Sequence, residues 1–455
     1  MATVVIIGAG LTGLSTAYHL EKQGFFDYQI FEKESDVGGL CRSVSSDDFT
    51  FDFTGHLLHI NNPYVRNFIE QVVGFELFNT NTRRSFIFSH NVYTHYPFQM
   101  HLHGLPEHVI TECIEGFIER PNTKTPKNYY QWVQKHFGAG LGKHFFFPYQ
   151  KKIFCYDPKK LTHSWTGRFV PQTTLRQIIQ GTFSKKTKEK VGYNATFLYP
   201  KKDGISVLIK KIKDRLLVPI KKNFCAQKID LKNNMIQFSN GHKESFKKLI
   251  STMPLDLLLK KTKDRASTNF HNAHKKLRCT SVLNINLGIK RDNLSDKSWI
   301  YFPEKQFPFY RLGFPHTFSH NMTPENCSSL YAEIGHLNET QAEVQQKQKM
   351  AMQSIKNLFG ITDDEIINET ILHLDRAYVI YNAWREKNLP TLLENLSQYD
   401  IHSVGRYGEW KYASMQEAIL DGKRVAEKLT RLPPTREATE DKPHKKIEAQ
   451  HEAIL

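Results

Sequence analysis

The stretch Gly8-Ala9-Gly10-Leu11-Thr12-Gly13 limits the fold more than any other part of the chain. It follows a short β-branched run, Thr3–Ile7, and opens a segment, Leu11–Gln23, whose apolar residues recur at helical spacing. Tyr28–Glu32 then reads as a second buried strand. In a βαβ unit of this kind, G-x-G-x-x-G is a dinucleotide-binding fingerprint. Gly8 makes the tight turn. Gly10 lets backbone amides, those of Leu11 and Thr12, approach a pyrophosphate at the helix N-terminus, and Gly13 lets helix and strand pack closely. Glu32 ends the second strand nineteen residues after Gly13, where a carboxylate accepts ribose hydroxyls and repels a 2′-phosphate.

A chain of 455 residues has room for two or three packed domains. No apolar run approaches the roughly 18 residues of a membrane span, and the N-terminus lacks the pattern of a secretory signal, so membrane insertion is not expected. The six cysteines show no C-x-x-C spacing, and reduced thiols in a cytoplasmic protein are the simplest expectation. The net charge of +16 is spread over lysine doublets from Lys151–Lys152 to Lys260–Lys261. That pattern reads as a solvated basic surface, or as a field that draws in an anionic substrate. Without a nucleic-acid-binding motif, no nucleic-acid partner is expected. His90, His95, His101 and His103 crowd one tract but lack a converging acid or cysteine, so no metal site is expected.

A second glycine pair lies in Gly38-Gly39-Leu40-Cys41-Arg42-Ser43, and Gly405-Arg406 precedes a helix starting near Met415. With the first motif these resemble the flavin amine oxidase superfamily, which implies FAD rather than NAD. On that resemblance the cofactor contacts are Gly8, Gly10, Leu11, Thr12, Gly13, Glu32, Lys33, Gly39, Leu40, Gly55, Arg406, Met415 and Gln416. No His or Cys sits where a covalent flavin link is expected, so the FAD is expected to be noncovalent.

Further segments, in order along the chain, resemble the UDP-galactopyranose mutases. They are Phe51-Asp52-Phe53-Thr54-Gly55-His56, Tyr96-Pro97-Phe98-Gln99, Trp165-Thr166-Gly167-Arg168, Asn194-Ala195-Thr196-Phe197, Trp299-Ile300-Tyr301-Phe302-Pro303-Glu304, Pro308-Phe309-Tyr310-Arg311 and Gly405-Arg406-Tyr407-Gly408-Glu409-Trp410-Lys411-Tyr412. The resemblance implies that His56 lies over the flavin and that Arg168 and Arg311 grip a diphosphate. It implies that Tyr96 and Phe98 offer flat faces to a uracil whose edge Gln99 reads, and that Phe154, Asn194, Trp299, Tyr301, Tyr378 and Tyr412 complete the substrate site. It also implies the reaction, in which pyranose and furanose forms of a UDP-sugar, UDP-galactose first, interconvert through an adduct between reduced-flavin N5 and the sugar. Transient NAD(P)H is the expected reductant, and cell-surface polysaccharide biosynthesis the expected setting. Guanidinium suits a leaving diphosphate because its fork holds two oxygens at once.

This sequence departs from the family at Thr54, where a glycine is usual, at Val379–Asn382 and at Gln416–Ala418. The last two leave room for a different sugar pocket. Two other readings use the same scaffold: an FAD-dependent oxidase or dehydrogenase of amines or a tetrapyrrole, and a flavoprotein that only binds.

The expected architecture is α/β: a Rossmann-like FAD-binding domain with an inserted helical domain and a mixed or antiparallel substrate sheet. The FAD domain is assigned residues 1–80, 186–255 and 376–432, the substrate sheet 81–104 and 256–375, and the helical domain 105–185, with a polar, disordered tail over 433–455. Expected helices are Pro106–Glu119, Pro126–Phe137 capped by Thr125, Leu141–Phe147, Glu339–Leu358 and Met415–Leu429. Residues 217–252 read as short strands with turns at Asn233–Asn234 and Asn240–Gly241.

Overall fold

A computed structural model describes residues 3–122, 124–167, 169–184, 195–263 and 268–430. Strand β1 (Val4–Ile7) is apolar and buried at every position, as a strand covered on both faces must be. Helix α1 (Leu11–Lys22) and strand β2 (Tyr28–Phe31) complete the expected βαβ unit. The hairpin β3 (Ser85–Ser89) and β4 (Val92–His95) follows, then helices α2 (Glu107–Ile118), α3 (Tyr129–Leu141) and α4 (Phe147–Phe154). The chain next adds β5 (Ile220–Lys221) and β6 (Lys248–Ser251), then β7 (Cys279–Ile289), β8 (Trp299–Tyr301), β9 (Arg311–Gly313), β10 (Ser328–His336) and β11 (Ile366–Val379). Helix α5 (Ala383–Ser397), strand β12 (Ile401–Ser403) and helix α6 (Met415–Thr430) follow.

Two sheets organise these elements. The first is parallel throughout, in the order β12-β6-β1-β2-β5, so three separated stretches of chain build one sheet. Helix α6 lies along α1: the Ser15 hydroxyl donates to the Ile419 carbonyl at 2.7 Å, and a Cβ on Gly422 would come within 2.6 Å of Ser15. The second sheet runs β11-β7-β10-β9-β8-β3-β4 and is antiparallel except where β8 pairs with β3. The α/β architecture with a mixed second sheet is therefore the one the sequence implies.

The helical region is held by backbone-to-backbone packing. A Cβ on Gly138 would stand 1.8 Å from the Gly116 carbonyl oxygen, and one on Gly140 would stand 2.0 Å from that of Glu112. Only glycine permits α2 and α3 this approach. The details correct the sequence reading. Helix α3 is capped by the Asn128 side chain, which accepts from the Gln131 amide, and Thr125 lies three residues before that cap. The expected helix Leu141–Phe147 is instead a π-helical turn, Gly142–Phe146, running into α4, with Pro148 in the first turn of α4 where its missing N–H costs nothing.

Candidate active site

The turn after β1 and the N-terminus of α1 form a cradle. Gly8 adopts φ +96°, and its amide donates to the Phe31 carbonyl at 2.7 Å, fixing the turn to β2. A Cβ on Gly13 would fall 1.9 Å from the Gly8 carbonyl oxygen. Gly10 caps α1 with no side chain, so no protein hydroxyl or carboxylate occupies the place where an anion would sit on the first amides. Gly38 donates to the Ala9 carbonyl at 2.9 Å, and Gly39 packs so close that a Cβ on it would lie 3.4 Å from the Gly10 Cα. Gly405 closes the other side, where a Cβ would meet the Thr12 hydroxyl at 2.7 Å. These are the spaces a bound dinucleotide needs: bare amides for its diphosphate and no Cβ in its way. Glu32 is buried, with Oε2 accepting from the Ala9 amide at 2.7 Å and Oε1 from the Glu34 amide at 3.0 Å. Each oxygen keeps a lone pair for a ribose hydroxyl.

The loop that carries His56 leads from this cradle to the second sheet. Thr54 holds φ +130°, a region that favours glycine, so the residue that departs from the family pattern is the strained one. Gly55 has no room for a side chain: a Cβ would lie 2.3 Å from the Tyr331 hydroxyl, and its amide donates to Glu333 at 3.4 Å. Burial lowers the His56 imidazole to about 4, so it is neutral near pH 7.

Beyond the loop is a pocket walled by residues far apart in sequence, among them Tyr96, Tyr149, Phe154, Tyr301, Arg311, Tyr378 and Tyr412. Tyr378 and Tyr412 stack with ring centroids 6.2 Å apart, and Tyr301 meets both Tyr96 and Tyr149 at 5.4 Å. Burial raises the phenols of Tyr149, Tyr301 and Tyr378, which therefore stay protonated and can donate hydrogen bonds. Arg311 enters from β9 directly opposite Glu333 on β10. Its Nη2 donates to Oε1 at 2.6 Å and its Nε to Oε2 at 3.1 Å. Glu333 is completely buried.

A family model described as flavin containing amine oxidoreductase matches residues 11–430. The chain belongs to the flavin containing amine oxidoreductase family. Among curated members of known proteins, hydroxysqualene dehydroxylase of Sinorhizobium fredii is 39% identical over 71 residues, 15% of this chain and 17% of that protein. A zeta-carotene-forming phytoene desaturase of Myxococcus xanthus is 47% identical over 49 residues, 11% of this chain and 9% of that protein. The chain thus spans less than a fifth of the length of these curated relatives. Over the whole fold it is similar to a reduced UDP-galactopyranose mutase, with a TM-score of 0.87, 26% identity and 94% of each chain covered. A putative protoporphyrinogen oxidase from Exiguobacterium sp. 255-15 shares the fold at a TM-score of 0.72 and 15% identity, covering 94% of this chain and 98% of that one. Membership of that family makes the chain a flavin enzyme by family.

Of the flavin enzyme's expected substrate residues, the structure brings Tyr96, Gln99, Phe154, Tyr301, Arg311, Tyr378 and Tyr412 to one pocket. Gln99 is anchored there, its amide donating to the Pro171 carbonyl at 2.6 Å. Phe98 does not offer a free face: it is fully buried and stacks on Phe145 at 5.1 Å, because the turn after Pro97 points it into the helical core. Trp299 is likewise buried, in a cluster with Phe197 and Tyr331. Arg168 and Asn194 lie outside the described residues.

Of the expected cofactor contacts, Met415 begins α6 and Gln416 ties that helix to the loop after His56, accepting from the Asn61 and Asn62 amides at 2.8 Å each. Arg406 donates to the Ala413 and Ala377 carbonyls at 2.7 and 2.9 Å and lies 4.8 Å from the Tyr412 ring, so it braces the tyrosine wall. Lys33 is exposed and pairs with Glu34 at 2.8 Å. Leu40 is half-buried and packs towards the helical core. The sequence reading missed Glu333, Tyr149 and Tyr381. Tyr149 had a signal in the aromatic tract Phe145-Phe146-Phe147-Pro148-Tyr149, whereas Glu333 had none. Among the described residues no group of three or more His, Cys, Asp or Glu could hold a metal ion, and no helix is long and apolar enough to cross a membrane.

Proposed function

We propose that this flavin enzyme is a mutase that interconverts the pyranose and furanose forms of a UDP-sugar, UDP-galactose first, with noncovalent FAD reduced by transiently bound NAD(P)H. The observation that carries the reading is Arg311, held in the pocket by buried Glu333 and surrounded by protonated phenols. The pair uses the Nε edge of the guanidinium and leaves Nη1 free of Glu333, so a fixed cation still presents donors to a diphosphate. Such a preorganised donor strengthens its hold as negative charge grows on a departing UDP. Tyr301, Tyr378 and Tyr412 add hydroxyl donors from the same wall, and Tyr96 and Gln99 on that pocket are of the types that suit a pyrimidine. A bound reduced flavin supplies an electron-rich ring nitrogen for covalent catalysis at the anomeric carbon. Neutral His56, on the loop between the cradle and the pocket, can exchange a hydrogen bond there without adding charge.

The 26% identity to the reduced UDP-galactopyranose mutase, spread over 94% of both chains, supports the same reading. The test is to incubate dithionite-reduced protein with a panel of nucleotide sugars. Ring-size interconversion of a UDP-sugar is the expected result. Stoichiometric oxygen consumption with an amine or a porphyrinogen, and no interconversion, would overturn it.

A further inference from the structure

Tyr301 ends β8, and the chain runs on through Phe302-Pro303-Glu304. Two other walls of the pocket are fastened to this short stretch. The first is α4, which carries Tyr149 and Phe154. Lys152, one turn after Tyr149, donates from Nζ to the Phe302 carbonyl at 2.6 Å and to the Glu304 carbonyl at 3.0 Å. Burial pushes this amine well below the usual lysine range, and the charge of Glu304 pulls it back. The backbone of α4 closes on the sheet as well: a Cβ on Gly335 would stand 2.4 Å from the Lys152 carbonyl oxygen.

The second wall is the hairpin of β3 and β4, whose second strand runs directly into Tyr96. Its turn places His90 and Asn91 at φ +51° and +61°. Glu304 holds that turn through Oε1, which accepts from the His90 amide at 2.7 Å and from the Ser89 hydroxyl at 3.5 Å. Gln306 donates to Oε2 at 2.8 Å and fixes the carboxylate. Tyr301 itself meets Tyr96 and Tyr149, each with ring centroids 5.4 Å apart. Three tyrosines on three elements thus share one anchor, made by two side chains that do not line the pocket. A buried amine is a poor source of stability but a good fixer of geometry, because it must meet its acceptors at set distances and angles.

We propose that Lys152 and Glu304 are positioning residues: Lys152 sets α4, and with it Tyr149, against Tyr301, while Glu304 sets the hairpin, and with it Tyr96. The spacing of the three rings, and so the affinity for a flat group held among them, depends on both. Assigning a nucleotide base to that place rests on the mutase reading; the positioning roles do not.

The experiment compares the full-length, flavin-loaded protein with Lys152→Met, Glu304→Ala and Glu304→Gln. UDP affinity is measured by calorimetry and amide exchange by mass spectrometry. Lys152→Met keeps the aliphatic stem and removes the donors. It should weaken UDP on the order of tenfold, as loss of hydrogen bonds to a charged group implies, and speed exchange in α4 while residues 85–95 stay as in the wild type. Glu304→Ala should weaken UDP by a similar factor and speed exchange in residues 85–95 while α4 stays unchanged. Glu304→Gln keeps an acceptor for the His90 amide and should remain within about twofold of the wild type. Flavin content should be the same in all. Unchanged UDP affinity in Lys152→Met or Glu304→Ala would overturn the inference. So would a rise in exchange throughout the chain, or a Glu304→Gln variant as impaired as Glu304→Ala. If Lys152→Met does not fold, the two Glu304 variants decide. If the wild-type protein does not bind UDP, the nucleotide-sugar reading fails, and the exchange pattern alone decides the positioning roles.

Discussion

Arg311 and Glu333 face each other across adjacent antiparallel strands and are joined by two hydrogen bonds in the pocket wall, at 2.6 and 3.1 Å. The carboxylate is fully buried, and the guanidinium keeps a fifth of its side chain exposed to the pocket. The pair therefore fixes a cation in place and also makes each partner depend on the other. Breaking a buried pair by removing one member costs about 3–5 kcal/mol, because the survivor is left uncompensated. Arg311→Ala should lower stability by that order in denaturant titrations. The double change Arg311→Met/Glu333→Leu should recover much of the loss, since it leaves no stranded charge.

The same pair separates catalysis from stability. Arg311→Lys keeps the charge next to Glu333 but loses the fork. It should retain most of the fold's stability, yet lose on the order of a hundred- to a thousandfold in rate and bind UDP more weakly, with flavin content unchanged. Arg168→Ala should do the same if both arginines hold one diphosphate, and the two changes should be non-additive in a double-mutant cycle.

The cradle makes a cofactor prediction. Glu32→Ala removes the acceptor of the Ala9 and Glu34 amides, and with it the carboxylate the cradle would offer to a ribose hydroxyl. Hydrogen bonds to a charged group of this kind contribute about 1.5–3 kcal/mol each. The wild-type protein should purify yellow with noncovalent FAD, and the variant should lose its visible flavin absorbance on gel filtration. Gly13→Ala should fare worse, because its new methyl has no space beside the Gly8 carbonyl.

Acid should destabilise the protein in a defined window. Burial lowers His19, His56, His59 and His402 each to about 4. Free histidine titrates near about 6.5, so as pH falls the unfolded chain takes up these protons first. Their contribution is complete above about pH 6.5 and is lost as the pH falls towards 4. Asp52 acts in the opposite sense. Burial raises it to about 6, so the native state binds that proton first and offsets one histidine between about pH 6 and 4. The melting temperature should fall steadily across this window, and more steeply in Asp52→Asn.

What the sequence discloses follows the range of the interactions. The cofactor cradle was legible because turn, helix start and Glu32 are fixed by spacing within 32 residues. The tyrosines of the pocket were legible only through family resemblance, since nothing local says that Tyr96, Tyr301 and Tyr378 meet. Glu333 was invisible because its role depends on the register of β9 against β10, and an acidic residue in a strand reads as solvent-facing. Phe98 was misplaced for a related reason: a motif names residue types, while the turn after Pro97 decides which side chain turns inward. Helix α5 escaped notice because Pro390 within it reads as a helix breaker, although Leu389, Leu392, Leu393 and Leu396 keep helical spacing.

The central claim is that this flavin enzyme acts as a nucleotide-sugar mutase, and its redox dependence tests it most directly. Purified protein is offered UDP-galactopyranose and UDP-galactofuranose, oxidised in one arm and dithionite-reduced in the other, with products resolved by chromatography. The account predicts that only the reduced protein interconverts the two forms, over many turnovers and with no stoichiometric loss of reductant. It is contradicted if the reduced protein binds flavin fully yet leaves UDP-galactose and every other UDP-sugar offered unchanged, while the oxidised protein consumes oxygen with an amine or porphyrinogen.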